Sequence, residues 1–260
     1  GGPIALGFQL GCYIETQIDE VRQQTPNTAP NTEVNYLYSG YDMTFAGVVK
    51  PGDEISLRVK PGRSKNTDNG DVYSNRIMLM AHNTPVILGY KREYEHLPAM
   101  AFTDYPSKSD VSQLADRSFT QGQRFFVKHK YMIVGNAKNF LTSACAEQSH
   151  YIDEFEDKVN FPQMYPLGLI SSALLERAQA DNYDLKSNPM IYISHKLVID
   201  KAQVLALRSN DRLIIVVSEQ LSKQNSDKQQ KVQHCIAYAN SDQPLFYATV
   251  DLMPLSELLK

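Results

Sequence analysis

The chain repeats itself once. Lys50-Pro51-Gly52-Asp53-Glu54-Ile55 corresponds without a gap to Arg208-Ser209-Asn210-Asp211-Arg212-Leu213, and Thr84-Pro85-Val86 to Gln243-Pro244-Leu245. The offset is 158 to 159 residues throughout. What recurs is therefore a whole supersecondary unit, not the short period of a solenoid.

Each copy reads as a helix followed by antiparallel strands. In the first, residues 5–24 carry Leu6, Leu10, Tyr13, Ile14, Ile18 and Val21 close to a helical period. Strands are predicted over 34–49, 54–60, 76–82 and 86–94. Between the first two, Pro51 presets φ and Gly52 is free to take a positive one. In the second copy a strand over 124–134 and a short helix over 136–145 come first. A helix over 167–180 follows, with Leu167, Ile170, Ala173, Leu174 and Ala178 on one face. Strands over 190–199, 212–221, 231–239 and 246–252 complete it, with turns at 209–211, 224–227 and 240–242.

Residues 98–118 are polar, include Pro98 and Pro106 and show no periodicity, so they read as a linker between a unit at 1–97 and one at 119–260. A long helix wrapped by an antiparallel sheet, occurring twice, gives an α+β fold of the double hotdog type, its two sheets joined edge to edge. The first unit begins at its helix and lacks about forty residues that the second has, a large part of a domain. Either they lie upstream of Gly1 in a larger polypeptide, or this half never had them.

Composition narrows the function classes. With 42% apolar residues the chain can build a sizeable core, and a net charge of −3 gives no reason to expect nucleic acid. No apolar run approaches the roughly 18 residues needed to cross a bilayer, and the start has no signal-peptide pattern. Cys12, Cys145 and Cys235 are too scattered for a disulfide framework or a metal site. No glycine-rich phosphate loop follows a strand, so neither metal nor nucleotide cofactor is expected. The expectation is a cytoplasmic protein in a reducing compartment.

The stretch that carries chemistry is Ser143-Ala144-Cys145-Ala146-Glu147-Gln148-Ser149-His150, followed eighteen residues later by Gly168. An imidazole titrates near neutrality and can move protons in either direction, so His150 is the candidate acid/base. Gly168, read at the start of a helix, lies where free N–H groups and the positive dipole end favour an oxyanion. The alternative for Gly168 is close packing of the helix. Cys145 is either a site thiol or a small buried hydrophobe at a helix end. Glu147 is either a carboxylate reaching back towards Cys145 or a solvated loop residue.

This register resembles the MaoC-like hydratase/dehydratase family, whose loop reads Ser-Gly-Asp-x-Asn-Pro-aliphatic-His. Ser143 and His150 match, whereas Cys145 stands at the Asp position, Glu147 at the Asn and Gln148 at the Pro. The resemblance implies an enoyl-thioester hydratase or 3-hydroxyacyl dehydratase of fatty-acid or polyketide-type metabolism. Its catalytic set would be His150 with Glu147 or Cys145, and its substrate contacts Ser143, Gly168 and Leu169. The substrate would arrive as an acyl-CoA or on the phosphopantetheine of an acyl carrier protein, with no other cofactor, to a homodimer or a module of a longer chain. Two further classes stay open: an acyl thioesterase, and a non-catalytic acyl-binding module of a larger synthase. A narrow apolar tunnel between the halves, lined by the Leu167 helix and opening near His150, is the expected ligand site.

Overall fold

The computed structural model describes residues 4–100, 102–220 and 230–258. The first half opens with α1 (Gly7–Gln24), which buries Phe8, Leu10, Ile14 and Ile18 and is followed by a short 3-10 turn. Strands β1 (Tyr38–Phe45), β2 (Ile55–Val59), β3 (Arg63–Thr67), β4 (Gly70–Ala81) and β5 (Thr84–Tyr94) follow. A short helix α2 (Lys108–Val111) lies in the connection to the second half. That half contains β6 (Ser118–Phe119), β7 (Phe126–Tyr131), α3 (Val134–Ser143), the hairpin β8 (Ile152–Asp153) and β9 (Lys158–Val159), α4 (Met164–Gly168) and α5 (Ile170–Ala180). It closes with β10 (Met190–Asp200), α6 (Lys201–Ala206), β11 (Arg212–Gln220), β12 (Lys231–Tyr238), β13 (Phe246–Pro254) and α7 (Leu255–Leu258).

One 11-stranded sheet runs β2-β4-β5-β1-β10-β13-β12-β11-β7-β6, with β3 paired to β4. Read outward from the β1–β10 seam the two halves give the same order, which is the edge-to-edge junction the repeat predicts. The seam is antiparallel, from Tyr38 opposite Asp200 to Thr44 opposite Ser194. Strand register confirms the repeat offset residue by residue. Tyr73 faces Glu93 and Asn75 faces Lys91 in the first half, as Lys231 faces Leu252 and Gln233 faces Val250 in the second. Joining the sheets removes two edges that would otherwise offer unpaired backbone groups. The first half ends on β2, where the second continues to β7 and β6.

Several elements differ from the sequence reading. The long first strand shrinks to Tyr38–Phe45, because Ala46 and Gly47 both donate to the Val86 carbonyl and end its regular pairing. Strand β3 was not expected: Arg63-Ser64-Lys65-Asn66-Thr67 is polar on both faces and is held by the turn at Gly70 (φ +86°). The helix predicted over 167–180 begins earlier, at Met164, and is interrupted at Leu169. The turn expected at 224–227 lies outside the described residues.

The connection between the halves is also a packed strap. Phe102, Tyr105, Val111 and Leu114 lie on the face of β11–β13 opposite the helices, against Ile214, Val216, Ile236 and Tyr247. Tyr238 donates to the Pro106 carbonyl at 2.8 Å, and Phe102 stacks on His234.

Candidate active site

The motif loop leaves α3 through a left-handed residue. Ala146 N–H donates to Leu141 O and Cys145 N–H to Thr142 O, closing the helix with Cys145 at φ +53°, a place where glycine is the usual occupant. Ala144 and Ala146 are buried on either side, so the Cys145 thiol is exposed. This corrects the reading of Cys145 as a buried hydrophobe. Ser143, the last residue of α3, accepts a hydrogen bond from Gln9 Nε2 at 3.0 Å, and Gln9 Oε1 accepts from the Leu6 N–H at the start of α1. The motif is thereby tied to the first turn of the other half's helix.

A cleft of about 360 Å³ opens at this contact. Ile4, Leu10 and Tyr13 line one side, the Lys50–Asp53 turn another, and Ser143 and Cys145 a third. It lies between the halves, as expected of a ligand site, but its walls are α1, α3 and a turn; the face of the Leu167 helix does not line it. Glu147 and His150 do not line it either. Glu147 accepts hydrogen bonds from the Ser149 backbone N–H (3.4 Å) and hydroxyl (3.1 Å), capping the 3-10 turn Gln148–His150. His150 ends that turn, exposed. The next residue anchors the loop: the Tyr151 hydroxyl lies 3.3 Å from Thr16 Oγ1 of α1.

Gly168 is the last residue of α4, not the first of a helix, which corrects the expected position. A Cβ there would stand 3.2 Å from Phe140 and 3.6 Å from Phe8, so its lack of a side chain lets α4 pack closely. Leu169, half-buried, is the joint between α4 and α5, and its carbonyl accepts from the Ser172 hydroxyl.

The free N–H groups that the sequence placed at Gly168 are at Gln163 and Met164, and they are occupied. Glu15, on the buried face of α1, accepts from both backbone N–H groups at 2.8 and 2.9 Å. Burial pushes its carboxyl up to about 7, against the pull of those two hydrogen bonds. The Tyr41 hydroxyl donates to Gln163 Oε1 beside it, and Gly11 of α1 approaches Met164 so closely that a Cβ would lie 2.9 Å from its sulfur. Sequence reasoning missed Glu15. Its one signal was an acidic residue directly after Ile14 and one turn before Ile18, on the helix's apolar face.

Neither a protein-family model nor a curated protein matches the sequence. Solved structures do resemble it in three dimensions. A conserved hypothetical protein of Mycobacterium tuberculosis with a double hotdog fold superposes with a TM-score of 0.54 at 14% identity, over 98% of this chain and 83% of the other. The fold is a double hotdog. A putative MaoC-domain dehydratase of Chloroflexus aurantiacus gives a TM-score of 0.52 at 11% identity, covering 94% of this chain and 81% of that one. A putative oleoyl thioesterase of Lactobacillus plantarum gives 0.50 at 7% identity, covering 95% and 86%. At these identities the likeness establishes the double hotdog architecture alone. Among the described residues no helix is long and apolar enough to cross a membrane.

Proposed function

We propose that this double hotdog protein handles enoyl or 3-hydroxyacyl thioesters, presented on CoA or an acyl carrier protein, in the cleft between its halves. The observation that carries this reading is the meeting of two independent features. The loop that resembles the hydratase motif supplies Ser143 and Cys145 to the cleft, and that cleft lies at the junction of the two units. Solved MaoC-like dehydratases share the architecture, which is compatible with this chemistry. Neither His150 nor Glu147 lines the cleft in this structure, so the hydratase reading requires the 147–150 turn to swing towards it, bringing His150 to move the proton and Glu147, released from Ser149, to supply the carboxylate that Cys145 cannot. Leu169 and Gly168 act from behind, fixing α4 and the loop that precedes it. The setting would be fatty-acid or polyketide-type metabolism.

One observation favours a second reading, in which the chain binds acyl thioesters without turning them over. The helix N-terminus suited to polarise a thioester carbonyl is already filled by the Glu15 carboxylate. The deciding experiment is hydration of crotonyl-CoA and hydrolysis of its saturated analogue by wild type, His150→Ala, Glu147→Gln and Cys145→Ala. Loss of an acid/base group lowers a rate about 10²–10⁴-fold. Hydration that falls by this much in His150→Ala and Glu147→Gln supports the hydratase. Binding with no turnover supports the acyl-binding module, and hydrolysis abolished by Cys145→Ala a thioesterase. Absence of any acyl-thioester binding overturns all three.

A further inference from the structure

The two halves treat the outer face of the sheet, the one turned away from α1, in opposite ways. In the second half the strap lies on it, over Val216, Ile236 and Tyr247, which sit side by side on β11, β12 and β13. The repeat offset carries these three onto Arg58, Met78 and Leu88, side by side on β2, β4 and β5. The next row, Ser218, His234 and Thr249, becomes Lys60, Arg76 and Tyr90. Phe102 of the strap stacks on His234, whereas in the first half Arg58, Lys60, Arg76 and Tyr90 are exposed and Met78 and Leu88 half-buried.

Positive charge replaces the apolar floor. Lys60 and Arg76 stand directly opposite each other, the Lys60 N–H donating to the Arg76 carbonyl at 2.9 Å. Arg58 is two residues along β2, and Arg63 lies opposite Ser74, two residues along β4, so the alternation of strands puts all four side chains on one face. Among the described residues none of these four side chains has an ion-pair or hydrogen-bond partner. Asp42, the acid in the row beyond Tyr90, is held by Arg92 at 3.3 Å. Glu54, the acid preceding β2, is four residues from Arg58, roughly 13 Å in extended chain. Like charges directly opposite on a sheet destabilise it, and here they gather on a chain whose net charge is −3.

We propose that this face docks an acidic, extended segment of a partner polypeptide, which lies across β2, β4 and β5 as the strap lies across β11–β13. Its carboxylates pair with Arg58, Lys60, Arg63 and Arg76, where the guanidinium fork suits two-point contact, and apolar side chains between them cover Met78, Leu88 and Tyr90. A nucleic-acid strand suits the face less well. It needs stacking rings and unbroken phosphate contacts, whereas Asp42 interrupts the row and Tyr90 is the one ring exposed in it. The strap shows that polypeptide fits these positions. The surface is on the other side of the sheet from the cleft, so the proposal is independent of the acyl-thioester reading.

The test uses the full chain and a fluorescein-labelled twelve-residue peptide alternating glutamate with leucine and serine, followed by anisotropy. Expected is saturable one-to-one binding that weakens about tenfold from about 0.05 to 0.3 M salt, because exposed charges are screened. Nitrogen-edited NMR spectra should show shifts of the Arg58, Lys60 and Arg76 amides. The double reversal Arg58→Glu with Arg76→Glu should weaken binding about tenfold or more. Lys186→Glu, at an exposed cation in the second half, should change it by less than about twofold. No saturable binding overturns the proposal, as do equal affinity for a peptide with glutamine in place of glutamate, or shifts confined to the second half. Tighter binding of an oligothymidylate or of phosphatidylserine vesicles overturns it in favour of a nucleic acid or a membrane. Sedimentation showing self-association that the double reversal abolishes overturns it in favour of a second copy. The wild-type measurements decide the matter even where a variant fails to fold.

Discussion

The two halves are built on the same turns and filled with different interiors. At Lys50–Asp53 the Asp53 carboxylate accepts from the Lys50 N–H at 2.8 Å, and the Asp53 N–H donates to the Lys50 carbonyl at 3.1 Å. At Arg208–Asp211 the same two bonds recur at 2.8 and 3.1 Å. The third turn residue is left-handed in both, Gly52 at φ +89° and Asn210 at φ +70°. Both Asp carboxylates also meet the residue 158 places apart in the neighbouring turn, His82 in one half and Asn240 in the other. Inside, the resemblance ends. Lys91, 3% exposed, bridges Glu93 at 2.7 Å and the Ser39 hydroxyl, and lies over the Tyr41 ring, where the second half has Val250. Local backbone geometry is thus conserved between halves by short-range hydrogen bonds. The interior is set by whichever side chains can satisfy each other at long range.

The largest expected effect breaks that ionic interior. Lys91→Val imports the second half's residue and takes one of two close cations from Glu93, which keeps Arg22 at 2.7 Å. Removing the only partner of a buried charge costs about 3–5 kcal/mol, so the loss here should lie at or below the lower end of that range. Urea denaturation should show this loss. The triple change Lys91→Val, Glu93→Leu and Arg22→Met should recover most of it, because ions replaced together by apolar groups leave no uncompensated charge. A triple variant no more stable than the single one would mean that the halves are not interchangeable at this position.

A smaller effect concerns Glu15, which ties α1 of one half to α4 of the other. Its carboxyl is raised from an ordinary 4.5 to about 7 by burial, so between these values the folded state binds more protons than the unfolded chain. Stability from this group is fully present below about pH 4.5 and is lost as pH rises through 7. At about 1.4 kcal/mol per pH unit the swing is on the order of 3 kcal/mol. Glu15→Gln should flatten that part of the stability–pH curve relative to wild type. Identical curves would show that Glu15 ionises in the fold as readily as in the unfolded chain.

The smallest effect tests the shared turns. Asp53→Ala and Asp211→Ala should each lower the melting temperature slightly and by similar amounts, because each removes the same capping bond from an equivalent turn. A marked inequality between them would show that surrounding contacts dominate the turn chemistry.

Much of the architecture was legible because it is written in local chemistry. The turn at Pro51-Gly52-Asp53 and its copy fixed where strands reverse, and the apolar period of 5–24 located α1 to within two residues of its start. The strap was missed even though its signal was present. Leu213 to Val217 is an unbroken run, all five side chains buried, and such a strand must be covered on both faces. Residues 98–100 and 102–118 cross the sheet as a strap with apolar residues at uneven intervals, and no periodicity test finds that pattern.

The sequence by itself determined the repeat, its register and the double hotdog order of strands, since backbone turns and alternating burial depend on neighbours close in the chain. It also identified the motif loop of Ser143, Cys145, Glu147 and His150. Only the tertiary structure decided which of these face the cleft: Ser143 and Cys145 do, while Glu147 turns back on Ser149. It alone brought Glu15 to the N-terminus of α4, 148 residues further on, and joined Arg22 of α1 to Asn75 and Glu93 of the sheet. The physical reason is common to all three. A hydrogen bond or ion pair between distant residues depends on how helices seat against the sheet, and that seating is settled by the packing of the whole core.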